Sequence, residues 1–231
     1  MTMHFPRDSA KVHPPSLFPY YKSTLKRAPK RPLMILPHTE TELTGPAYGH
    51  EVVRPEDSDL TRQHEGEPLG QRIIVTGRVL DEDGRPVPNT LLEVWQANAA
   101  GRYVHLNDQH DAPLDPNFSG AGRVVTDNDG RYRFITIKPG AYSWQNHPNA
   151  WRPAHIHFSL FGPSFLSRLV TQMYFPDDPL FDYDPMYTSV EPNARKRMVS
   201  RFSLENTVPE WALAFEWDIV LRGTNATPME Q

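Results

Sequence analysis

The chain has 231 residues, 24 prolines against 13 glycines, no cysteine and a formal charge of −4, long enough for one domain with a sizeable core and extensions. Without cysteine there are no disulfides and no thiolate nucleophiles or ligands, so a metal would have to be held by imidazole, carboxylate or phenolate. The charge offers no basic field for nucleic acid, and no stretch has the length and apolarity of a membrane span or secretory leader, so a soluble cytoplasmic protein is the expectation.

Residues 1–70 are rich in proline and charge, with Pro14-Pro15, Ala28-Pro29-Lys30-Arg31-Pro32 and Thr44-Gly45-Pro46. Proline fixes φ and removes a donor, so this segment reads as an extended arm. Its apolar residues Phe18, Tyr20, Tyr21, Leu33, Met34, Ile35 and Leu36 suit packing on a partner chain. From Gln71 the pattern turns to short β-branched and aromatic runs between turn residues. Strands are expected over 72–80, 90–97, 123–126, 130–137, 151–161, 167–175 and 213–221, and a short helix over 191–202. Asp127-Asn128-Asp129-Gly130 is a hairpin signal, and Glu93, beside a large aromatic, is expected to be partly buried and hydrogen-bonded. The fold class is all-β: a β-sandwich over 71–223 with long functional loops, an extended N-terminal arm, little helix and a tail over 224–231.

Two irregular stretches interrupt the strands. Residues 98–122 carry Tyr103, His105 and His110, and residues 138–152 carry Tyr142, Trp144 and His147; loops this long inside a domain usually serve a function. The run from Trp151 to Phe161 puts His155, His157 and Ser159 on one strand face and Ala154, Ile156, Phe158 and Leu160 on the other. Alternate positions lie about 6.6 Å apart, close enough for both imidazoles to reach one ion. A P-loop, a dinucleotide fingerprint and a nucleophile elbow are absent, so the His-x-His face is the main chemical signal. It leaves open a zinc triad completed by His147, His105 or His110, a carboxylate-completed iron site, and a non-catalytic binding module with surface histidines.

Gly101-Arg102-Tyr103, then Lys138-Pro139-Gly140-Ala141-Tyr142-Ser143-Trp144, then Trp151-Arg152-Pro153-Ala154-His155-Ile156-His157, then Thr171-Gln172-Met173-Tyr174-Phe175 resemble, in order, the signature of the intradiol ring-cleaving dioxygenases. The resemblance runs from about Tyr21 to Gly223 and is to the iron-binding β chain of the hetero-oligomeric members in particular. Ala141 and Ser143 stand where that family commonly has proline. The resemblance implies non-heme Fe(III) held by Tyr103, Tyr142, His155 and His157, with Tyr142 and His157 axial and Tyr103 and His155 equatorial. It implies a catecholic substrate bearing a carboxylate, cleaved with dioxygen between its two hydroxylated carbons in aromatic catabolism. It assigns Arg152 to developing negative charge, Gln172 to hydrogen bonding in the same pocket and Trp144 to packing on the ring. A companion α chain is expected to complete the site with a cation, together with Tyr21 of the arm. Catechol and hydroxyquinol 1,2-dioxygenases are the alternative, but they carry a helical N-terminal dimerisation segment that this proline-rich arm does not resemble.

Overall fold

Alternating apolar side chains on two antiparallel-rich sheets meet face to face and bury a shared interior. The computed structural model describes residues 12–32, 34, 52–108, 110–145, 150–161 and 169–229. In the first sheet, β1 (Arg72–Leu80) pairs antiparallel with β4 (Arg131–Ile137), Arg72 opposite Ile137 and Arg78 opposite Arg131. The other edge of β1 is lined in parallel by β10 (Leu213–Glu216) and β11 (Ile219–Val220), and the two-residue β9 (Arg201–Phe202) pairs with β10. The second sheet is antiparallel throughout, in the order β3 (Ala121–Val125), β2 (Leu91–Trp95), β7 (His155–Phe161), β8 (Leu169–Tyr174). A separate two-stranded ribbon joins β5 (Tyr142–Trp144) to β6 (Ala150–Arg152).

The interior follows from the period-2 pattern. Val75, Val79, Phe134 and Ile219 of the first sheet, with Trp217 from between β10 and β11, meet Leu92, Val94, Ile156, Phe158 and Met173 of the second. Phe158 is at the centre, with ring centroids 4.9 Å from Trp217 and 5.9 Å from Phe134. Each such side chain contributes about 1.5–3 kcal/mol by leaving water. Leu60 enters the same core from upstream of β1, its amide donating to Ile135 O at 2.9 Å. Glu93 is half-buried and pairs with Arg123 directly opposite, Nε to Oε1 3.3 Å. At the far end, Thr171 Oγ1 donates to Pro228 O at 2.7 Å, and Met229 N to Nδ1 of His13 at 3.0 Å, so both ends of the described chain lie together.

Four elements differ from their sequence expectation. The turn at Asp127–Gly130 forms, with Asp127 Oδ1 accepting from Asp129 N and Arg131 N, but it is not a hairpin. Its two strands enter different sheets, because β3 finds its partner in β2 and β4 in β1; turn chemistry sets the reversal, not the partner. The run at 151–161 is split by Pro153, so Arg152 ends the ribbon and the histidines begin β7. The run at 213–221 breaks at Trp217-Asp218, where Tyr132 Oη donates to Trp217 O (2.6 Å) and Asp218 Oδ1 accepts from Arg78 N (2.8 Å). The expected helix at 191–202 is only α3 (Pro192–Arg195) and a 3-10 turn through Met198. Ser200 then bonds Tyr174 O through both its amide and hydroxyl, drawing the chain out extended. Two further short helices, α1 (Lys22–Arg27) in the arm and α2 (Pro185–Ser189) after β8, had no sequence signal of useful length. Leu33, Ile35 and Leu36 of the arm lie outside the described residues, as does His147.

Candidate active site

The two histidines are placed by the second sheet. Strand register sets Trp95, His157 and Gln172 in one row across β2, β7 and β8, and His155 opposite Tyr174 in the next. Ile156 and Phe158 point into the core between them. His155 is buried, with Nδ1 2.7 Å from Pro153 O. A carbonyl only accepts, so Nδ1 carries the proton and Nε2 presents its lone pair. Burial, then the Arg152 charge and His157, hold the His155 pKa well below the usual imidazole value, which keeps the ring neutral. The His157 ring stacks on Trp95 at 4.8 Å and 6°, which fixes its plane.

The tyrosines come from the two long loops, which touch. Asn98 organises the first: its Oδ1 accepts from Ala100 N and Arg102 N, both at 2.9 Å, and its Nδ2 donates to Pro113 O at 2.9 Å. Its carbonyl accepts from Gly101 N in the same loop and from Gly140 N in the other. A Cβ at Gly140 would stand 2.4 Å from Ala99 O, and one at Gly101, where φ is +82°, 2.3 Å from Ala141 O. The backbones can therefore approach this closely only with glycine at both places. The approach brings the Tyr103 and Tyr142 rings edge to face at 5.5 Å.

Four side-chain tips converge as a result. Nε2 of His155 lies 3.4 Å from Oη of Tyr103 and 3.4 Å from Oη of Tyr142, and Nε2 of His157 lies 3.1 Å from Oη of Tyr103. Donor atoms about 2.1 Å from one first-row ion and at right angles to one another stand about 3 Å apart, so the spacing suits a single metal with two oxygen and two nitrogen donors. Among the described residues no group of three His, Asp or Glu could hold a metal, which leaves a carboxylate-completed site without support there. His105 and His110 instead line an open cleft of about 640 Å³ beside the tips, with Trp95, Asp108, Tyr142 and Trp144.

Arg152 lies beside two residues that line this cleft, Tyr142 and Trp144. It pairs with Tyr142 in the ribbon register, and its guanidinium lies 5.2 Å from the Trp144 ring centroid. Only 3% exposed, its Nε donates to Asp184 Oδ2 at 3.0 Å, and its Nη2 donates to Gln172 Oε1 and to Tyr174 Oη. Burial alone would lower its pKa, but the Asp184 carboxylate and the neighbouring phenols more than offset it and raise the value. On the other side Trp144 packs on Tyr21 at 5.1 Å, and Arg27 lies 4.8 Å over the Tyr21 ring, so the arm reaches the site through a stack of four alternating groups. All eight sequence-nominated residues thus fall in one neighbourhood. Sequence reasoning missed Asn98, Trp95, Tyr174 and Asp184; the Thr171–Phe175 motif contains Tyr174, but nothing in it marks the hydroxyl as a network member.

With this geometry the comparisons become specific. A family model described as Dioxygenase matches residues 43–223, and one described as Protocatechuate 3,4-dioxygenase beta subunit N terminal matches residues 5–39. The protocatechuate 3,4-dioxygenase beta chain of Burkholderia cepacia is 62% identical over 100% of this chain and 98% of its own. The chain belongs to the intradiol dioxygenase family. This membership sets aside the non-catalytic module. Among solved structures, 3-chlorocatechol 1,2-dioxygenase of Rhodococcus opacus 1CP superposes with a TM-score of 0.57 at 25% identity, over 74% of this chain and 66% of that one. The alpha chain of protocatechuate 3,4-dioxygenase from Burkholderia cepacia is 25% identical over 89% of this chain and 97% of its own. This intradiol dioxygenase spans about half the length of the catechol and hydroxyquinol 1,2-dioxygenases it matches. No helix among its described residues is long and apolar enough to cross a membrane.

Proposed function

We propose that this chain is the catalytic β subunit of a cytoplasmic protocatechuate 3,4-dioxygenase, which joins a companion α chain and binds ferric iron through Tyr103, Tyr142, His155 and His157. The reaction is 3,4-dihydroxybenzoate plus dioxygen to 3-carboxy-cis,cis-muconate, both oxygen atoms entering the product, a step of the β-ketoadipate route of aromatic catabolism. The observation that carries the reading is the 62% identity along the whole chain to a relative of that name. Catechol and hydroxyquinol 1,2-dioxygenases match only 65% and 51% of the chain.

The donor set fits the ion. Two phenolates are hard anionic ligands that favour a trivalent over a divalent metal, and neutral imidazoles complete the set without further charge. When bound, ferric iron supplies the Lewis acidity that draws both catechol oxygens in as anions and makes the ring reactive toward dioxygen. The chain's own groups then have distinct tasks. Tyr142, on the ribbon, would hold the iron together with Tyr103 and would accept a catechol proton at its phenolate oxygen. Arg152 faces the negative charge that develops on the ring, a preorganised cation in a water-poor site. Gln172 holds the Arg152 fork, and Trp144 packs against the substrate ring. Tyr21 and a cation from the α chain receive the substrate carboxylate. The arm of residues 1–70, beyond the places where Tyr21 and Leu60 pack on this chain itself, meets the partner, the sandwich of 71–223 carries the chemistry, and 224–231 form a tail.

One optical experiment tests the reading. The complex purified with its α chain should be coloured by phenolate-to-iron charge transfer, should change colour on anaerobic addition of 3,4-dihydroxybenzoate, and should then consume one dioxygen per substrate. Tyr142→Phe should alter both the band and its change. A colourless complex, or a band indifferent to Tyr142→Phe, would sink the assignment.

A further inference from the structure

The site contains a charged group to which the functional reading gives no task. Asp184 is completely buried, begins α2, and lies 32 positions from the arginine it contacts. Its Oδ1 accepts from Met186 N at 2.9 Å, which caps the helix. Its Oδ2 accepts from Arg152 Nε at 3.0 Å and lies 3.0 Å from Tyr174 Oη. That hydroxyl also accepts from Arg152 Nη2 at 3.1 Å and lies 3.0 Å from Gln172 Oε1. These bonds use Nε and Nη2 of the guanidinium and leave Nη1 out. The Trp144 face, 5.2 Å from the guanidinium carbon, adds a further constraint.

From this geometry we infer that Asp184, with the Tyr174 hydroxyl, is the positioning pair for Arg152. It fixes the plane of the fork so that the uncommitted edge serves the substrate, and it balances the buried charge. The inference rests on the functional reading above. A carboxylate anchored at a helix start has little freedom, and the guanidinium is a rigid plane that turns as a unit about the Cδ–Nε bond, so a hydrogen bond held at Nε–H sets the fork's direction. A surface ion pair would do neither, because solvent and rotamer freedom would loosen it. The carboxylate makes no bond to the four converging donor tips and acts only through the arginine.

The test is a set of mutant cycles in the complex with the α chain: Asp184→Asn, Tyr174→Phe and Arg152→Gln, with each of the first two also combined with the third. Asn keeps an oxygen for Met186 N, so the helix cap survives. Asp184→Asn should lower kcat about 10- to 100-fold, as misplacement of a catalytic group does. The anaerobic dissociation constant of 3,4-dihydroxybenzoate, read by the optical change, should move less than about 3-fold, because the loss falls on the transition state. Tyr174→Phe should act in the same direction and less strongly. Neither should lower kcat further once Arg152 is already Gln. The inference is overturned if Asp184→Asn leaves kcat within about 2-fold of the parent, or lowers it equally in the Arg152→Gln background. Should Asp184→Asn fail to assemble, Tyr174→Phe and its double variant decide by the same two outcomes. A parent complex without turnover would instead defeat the functional reading.

Discussion

Asn98 shows how one side chain can set a site that it never touches. Its amide serves two backbone donors of the Tyr103 loop and one carbonyl of the segment at 113, and its carbonyl takes an amide from the loop that carries Tyr142. Asn98→Ala strips the three side-chain bonds, all of them to part-buried backbone groups. We expect a loss of about 1–3 kcal/mol in denaturant unfolding and a lower metal content in the purified complex; unchanged metal content would show that the loops hold without it. At this scale the sequence was informative where chemistry is local. The alternation around His155 and His157 exposed a two-imidazole face directly, and the ordered motifs supplied the tyrosines. Asp184 was not legible: its partner is distant in sequence, and a lone aspartate before a proline reads as a cap. Its burial against Arg152 is decided by where α2 packs.

The strands were legible as elements, but their partners were not. Period-2 runs located β1, β2, β4, β7 and β8, whose apolar faces form the core. The turn after β3 was correctly read as a reversal and wrongly as a hairpin, because a turn carries no information about which sheet each arm will enter. The break between β10 and β11 likewise depends on long-range bonds, chiefly Tyr132 Oη to Trp217 O. Tyr132→Phe removes that bond and should cost about 1–3 kcal/mol. Burial also raises the Tyr132 pKa well above 10.0, so the folded chain keeps a proton that the unfolded chain releases. Stability from this group is complete below about pH 10 and declines as pH rises past it, by about 1.4 kcal/mol per unit. Tyr132→Phe should flatten that alkaline decline by one proton's worth in pH-dependent unfolding. An unchanged slope would mean that the hydroxyl is not held protonated.

On the scale of the whole molecule, the site sits at the edge of the sandwich, where the second sheet, two loops, the ribbon and the arm meet. The proposed iron would bind only the folded arrangement, since the donors come from positions 103 to 157. At free metal a thousandfold above its dissociation constant, the linkage is worth about 4 kcal/mol, or a Tm about 8–16 °C higher for a domain of this size. Removing iron with a chelator should lower the Tm of the complex by that amount while the far-ultraviolet β signal persists. An equal Tm with and without metal would argue against binding by all four groups. The arm was legible as proline-rich, but its contact with Trp144 through Tyr21 was not, because nothing local encodes which surface an arm will cover.

The separation of core from site has an evolutionary consequence. Tyr103 and Tyr142 project from connections, His155 and His157 face away from the interior, and Ile156, Phe158 and Leu160 on the same strand bury the apolar surface. A duplicated copy that lost all four donors would still bury the same interior and keep its fold. Such a copy is free to drift in chemistry while selection retains its shape. It can survive as a scaffold for its active sibling, which is the circumstance in which one ancestral gene can give rise to two unlike subunits of one enzyme.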